Sequence, residues 1–200
     1  MKEQKTFALI RMETFSDAVL AVIITIMALE LKVPDILPNF QPDVLKHLVP
    51  KLASYMIAFG FVGLVWIQHL LALRDVERAT FKLFWFNFLY LFFASLIPFT
   101  TAFVGEHPML LLAIAMWGGA VGLTAFAVRL LHAEAHKEKP SERWIGRLNF
   151  ISMAAAAACV FTAFLSVYLA WILLLFGFSI VALPAPFARR IFSRKRDLVG

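Results

Sequence analysis

Apolar residues run through this chain in blocks long enough to cross a membrane, separated by short stretches where charge and proline collect. Roughly 20 residues of helix cross a hydrocarbon core of about 30 Å, and apolar segments of that size occupy 12–32, 50–73, 82–104 and 109–131. A fifth apolar run reaches residue 186 and is too long for one crossing. Dividing it near Phe164 to Val167 predicts two further helices, 146–165 and 167–186. The pattern predicts an all-α membrane protein, with residues 1–200 forming a single six-helix transmembrane domain.

Composition agrees with the pattern. Hydrophobic residues make up 62% of the 200, including 21 Phe, well above the roughly one half of an ordinary soluble domain. The first apolar run exceeds the about 7–15 residues of a signal-peptide core, and no small-x-small site follows before Lys32, Val33 and Pro34, so it is expected to stay in the mature protein. Cys159 is the single cysteine; one thiol in an apolar stretch makes neither an intrachain disulfide nor a cysteine metal site and reads as packing.

The net charge of +6 matters through its placement. With six crossings, one side holds Lys2, Lys5 and Arg11, then Arg74, Arg78 and Lys82, then the basic residues from Arg129 to Arg147, and finally those from Arg189 to Arg196. The other side keeps Lys32, Lys46 and Lys51. The positive-inside rule then puts both termini in the cytoplasm of a multi-pass cell-membrane protein. The tail "RRIFSRKRD" suits anionic inner-leaflet lipid, and no nucleic-acid partner is expected. Residues 33–49, with three prolines, read as an outer cap or interfacial segment, and 132–147 as the one hydrophilic inner loop. Very short outer turns make helices 3 and 4, and 5 and 6, tight hairpins.

Polar residues inside the spans carry the chemistry. Intramembrane ionisable groups are costly and usually serve an interior or a water-filled path. Counting about 1.5 Å per residue from the cytoplasmic ends, Ser16 and Asp17 on helix 1, His69 on helix 2 and Asn87 on helix 3 share one layer near the inner face, with Trp66 one turn deeper. Asp17 can accept from His69, Trp66 or Asn87, and Arg11 can reach inward to neutralise it. Single residues of this kind often only cap a helix or snorkel; four from three helices favour a shared network. Further along helix 1, Val22, Thr25 and Leu29 fall within a sector of about 60°, a stripe that packing against a neighbour would also explain.

These residues resemble a known family. Arg11, Phe15, Ser16 and Asp17 match the Arg-x-x-x-Phe-Ser-Asp signature opening the first helix of the transmembrane protein 175 family of prokaryotic and endolysosomal potassium channels. "WIQHL", with Trp66 and His69, and "FWFNFLYLFFASLIPFTTAF", with Asn87, look like its second and third helices, so the likeness spans about residues 11–104. It implies a homotetramer whose first helices line a central pore for potassium ions, with no TVGYG filter, no cofactor and no enzymatic activity. It further implies that Val22, Thr25 and Leu29 form the constriction, while Arg11, Phe15, Ser16, Asp17, Trp66, His69 and Asn87 form a structural network. Val22 departs from the larger Ile or Leu usual there, which implies a leakier or less discriminating channel.

Rings of Val22 and Leu29 would gate by dewetting, and Thr25 hydroxyls would replace part of an ion's water, favouring potassium moderately over sodium. Three rival readings compete. A proton or ion-coupled transporter would use Asp17 and His69, though no inverted repeat or broken helix pair is visible; proton permeation also fits a channel. An intramembrane hydrolase would need His69 between Ser16 and Asp17, which point about 100° apart. A passive scaffold would keep Thr25 away from water.

Overall fold

A computed structural model describes residues 6–31, 43–74 and 76–136. The expected helices 146–165 and 167–186, Cys159 and the basic tail lie outside the described residues, as do residues 137–147 of the expected inner loop, whose first residues, up to Ala135, are helical instead.

Among the described residues there are five helices: α1 (Phe7–Leu29), α2 (Asp43–Leu73), α3 (Phe81–Ser95), α4 (Ile97–Glu106) and α5 (Leu111–Ala135). α3 and α4 together have the length of one crossing, so four spans among the described residues are long and apolar enough for a membrane. The expected 82–104 helix is therefore interrupted. Pro98 sits in the first turn of α4, where a missing N–H is tolerated, and the chain turns at Leu96. Other ends run further than hydropathy alone predicts: α1 begins at Phe7 rather than 12, and α2 at Asp43 rather than 50. The helices continue past the apolar core, and α2 accommodates Pro50 in its interior at the loss of one backbone hydrogen bond. Thr80 starts α3 by accepting from the Leu83 amide at 3.1 Å, satisfying one otherwise orphaned donor.

α3 packs along α5, α2 lies against α4 and α5, and α1 touches α2, α3 and α4. α5 can approach closely because its buried side is rich in small residues, among them Ala113, Gly118, Ala120 and Ala127, as helices in lipid require. The Trp117 indole N–H also donates to Thr101 Oγ1 at 3.2 Å, joining α5 to α4. The main core runs from Leu20, Ile23 and Met27 of α1 through Val62 and Tyr90 to Ile114 and Trp117. A smaller cluster of Leu9, Met12, Leu83 and Leu131 closes the end near the α1 N-terminus, where the Thr6 amide donates to the Glu77 carbonyl at 3.0 Å.

At the opposite end α2 and α4 come close. A Cβ on Gly105 would stand 2.7 Å from Ser54 Oγ and 3.2 Å from Lys51 Cα, and Lys51 Nζ pairs with Glu106 at 3.1 Å. Because the α2 backbone cannot yield as a flexible side chain would, Gly105→Val should destabilise by about 1–3 kcal/mol. A clear fall in the melting temperature of detergent-solubilised protein checks this; an unchanged melt would mean that the helices separate freely.

Candidate functional site

α1 has two unlike sides. Leu9, Met12, Ser16, Leu20, Ile23 and Met27 are buried, and at 100° per residue they fall within about 80° of one another. Val22, Thr25 and Leu29 lie on the far side, Val22 54% and Leu29 76% exposed. Thr25 Oγ1 donates to the Val22 carbonyl at 2.8 Å. With its proton committed inward, the hydroxyl presents only lone pairs outward. That arrangement suits a cation or a water molecule.

The buried side of α1 carries the polar cluster. Ser16 is fully buried; its hydroxyl donates to the Met12 carbonyl at 2.8 Å and accepts from Asn87 Nδ2 at 2.9 Å. Asn87 Oδ1 lies 2.8 Å from His69 Nε2. An amide oxygen can only accept, so that bond places the His69 proton on Nε2. His69 and Asn87 are 2% and 1% exposed. Three helices thus meet through a serine, an amide and an imidazole, each bonded in a setting where an unbonded polar group would be expensive.

The other signature residues take separate positions. Asp17 Oδ1 accepts from Trp66 Nε1 at 2.8 Å, linking α1 to α2 beside the buried cluster rather than within it. Both side chains are exposed. Phe15 packs against Phe88 of α3, ring centroids 5.9 Å apart. Arg11 is exposed and, among the described residues, makes no ion pair with Asp17; it lies on the same side of α1 as Leu29, five full turns away. Ser16 bonds to Asn87 and Asp17 to Trp66, so neither reaches His69 as a catalytic triad or a direct relay would need.

Tyr90 escaped the sequence reading. It is fully buried and stacks on His69 at 5.3 Å with an interplanar angle of 19°. Its position three residues after Asn87 puts both on one face of α3, a signal that was available.

A helical membrane bundle with a hydrogen-bonded polar cluster joining its first three spans, and a first helix bare on one side, is the class of protein these features define. The family model for the endosomal/lysosomal potassium channel TMEM175 matches residues 11–98. A potassium channel of Chryseobacterium sp. (strain P1-3) is 30% identical over 166 residues, which cover 80% of this chain and 85% of that protein. One from Streptomyces collinus is 33% identical over 101 residues, 48% of each chain. The crystal structure of a lysosomal potassium-selective channel TMEM175 homolog from Chamaesiphon minutus superposes with a TM-score of 0.76 at 24% identity, over 89% of this chain and 98% of that one. The chain belongs to the TMEM175 family, as a prokaryotic-type member.

Proposed function

We propose that this protein is a potassium-preferring cation channel, conducting passively through a pore lined by α1 of four identical chains. Each chain would cross the cell membrane six times with both termini cytoplasmic. Its relatives' description as potassium channels supports the ion. The observation that carries the pore is the bare side of α1: among the described residues, Val22, Thr25 and Leu29 are left uncovered by the other helices, with one hydroxyl oxygen set between two apolar side chains. Fourfold repetition turns each into a ring. The Val22 and Leu29 rings resist wetting, and the Thr25 ring offers lone pairs to an ion that has shed part of its shell. A more weakly hydrated cation sheds that shell at lower cost, which favours potassium over sodium. The Ser16–Asn87–His69 cluster and the Asp17–Trp66 bond act in this reading as scaffold that holds α1 at its angle.

The test is the reversal potential of purified protein in a planar bilayer, with potassium on one side and sodium on the other. A shift towards the potassium equilibrium potential is expected. No current, in reconstitutions where a control channel conducts, would count against the proposal.

A further inference from the structure

Hydropathy assigns the chain from residue 132 onward to a loop, but α5 continues to Ala135 and is capped by His136. The His136 amide donates to the His132 carbonyl at 3.0 Å, so the two residues stand one turn apart on one helix face. Their ring centroids are 5.8 Å apart and their planes 35° from parallel. The pair sits at the end of the bundle near the α1 N-terminus, because Leu131 and Ala135, which flank His132 on α5, pack in the cluster that holds Leu9, Met12 and Leu83.

His132 is the unusual member of the pair. It is 5% exposed, and among the described residues neither its Nδ1 nor its Nε2 has a hydrogen-bond partner. Buried imidazoles are normally bonded, as His69 is to Asn87, since desolvating an unbonded polar group is expensive. No hydrogen bond joins the two rings, although they are neighbours. His136 is half-buried, with Nε2 shielded from solvent. It has a further interaction of its own, which one ring nitrogen can keep while the other ligates.

The geometry and the chemistry of the donors narrow the ligand. A metal ion about 2.0–2.1 Å from one nitrogen of each ring, in tetrahedral geometry, sets the ring centroids roughly 5–6 Å apart. The observed separation falls in that range. Imidazole nitrogen suits zinc, copper and nickel, whereas potassium, magnesium and calcium take oxygen ligands, so the pair is not built for the permeant ion. The negative end of the α5 dipole lies at the same place and favours a cation. Arg129 and Glu134 of the same helix are engaged in interactions of their own and offset one another in charge. His69 adds no third ligand through Nε2, which donates to Asn87. Water would complete the coordination, reaching the metal past the half-buried His136.

We propose that His132 and His136 together bind one divalent transition-metal cation of the zinc type, with water in its remaining positions. The ion satisfies the nitrogen that His132 otherwise buries unbonded, and it clamps the last turn of α5. Binding does not depend on the channel reading.

Isothermal titration calorimetry with zinc chloride tests the proposal on the full-length protein, purified in detergent without a polyhistidine tag. One zinc should bind per chain. His132→Ala and His136→Ala should each weaken binding by more than the roughly 10–100-fold that follows loss of a residue merely bonded to a ligand. His107→Ala, at the opposite end of the bundle, should leave it unchanged. If His132→Ala does not fold, His136→Ala decides alone, because its side chain is only half-buried at the helix cap. Cobalt in place of zinc should give the visible absorption of a nitrogen-ligated ion in wild type and lose it in His136→Ala. No zinc uptake by wild type, which would mean that His132 is satisfied by water, would overturn the proposal, as would uptake unchanged in His136→Ala. Uptake is read without current, so a silent bilayer would count against the channel and leave the metal site standing.

Discussion

Asn87→Ala should destabilise the protein by about 3–5 kcal/mol, because one side chain satisfies two buried partners and its loss leaves both short. Ser16 Oγ would lose the donor at 2.9 Å and His69 Nε2 the acceptor at 2.8 Å, and each orphaned buried group costs about 1–3 kcal/mol. Ser16→Ala orphans one buried group, the Asn87 Nδ2 donor, and leaves the His69 bond in place, so it should cost less, about 1–3 kcal/mol. The double variant Ser16→Ala/Asn87→Ala should then fall short of the sum, since the two residues share a bond. Thermal melts of the three variants in detergent provide the check. An Asn87→Ala protein melting with wild type would mean that water enters this layer and satisfies the groups, and the cluster would no longer explain how α1 is held.

The second large effect is on permeation. Val22→Ser and Leu29→Ser should each raise single-channel conductance and bring the reversal potential under potassium–sodium gradients nearer to zero, because a hydroxyl ring wets a constriction that an apolar ring dries. Assembly should survive, as neither side chain is buried in the bundle. Asp17→Asn should do the reverse, lowering the yield of assembled protein while the protein that does assemble conducts with unchanged selectivity. Asp17 is held by Trp66 at 2.8 Å, and an amide oxygen can accept that bond but without the charge that strengthens it. If Asp17→Asn assembled normally yet conducted nothing, the carboxylate would have to be moved from scaffold to permeation. If Val22→Ser and Leu29→Ser left both conductance and selectivity unchanged, the constriction would lie elsewhere.

Several of these placements were legible in the residues. Depth in a membrane helix is a count of residues, so 1.5 Å per residue brought Ser16, His69 and Asn87 to one level before any packing was known. Burial then follows from polarity, because groups at that depth must satisfy one another. The partner of each group was not legible. Asp17 had three possible donors, and Trp66 received it because Ser16, one residue earlier on α1, already faces Asn87. Arg11 is apart from Asp17 for the same kind of reason: six residues at 100° place it well round the helix.

The α3–α4 interruption shows the limit from another side. Pro98 is plain in the sequence, but a proline in a membrane span either kinks a continuous helix or starts a new one, and hydropathy is the same in both cases. The choice was made by what the two pieces pack against, α3 against α5 and α4 against α2.

By itself, the sequence determined that this chain is helical and built for a membrane, roughly where the four described spans fall, and which polar residues share a depth, since each of these depends only on hydropathy and on rise per residue. The tertiary structure alone decided which side of α1 is covered. α1 is apolar nearly all round, so its own pattern cannot select a buried face. Contacts from α2, α3 and α4 selected it, and in doing so left Val22, Thr25 and Leu29 bare.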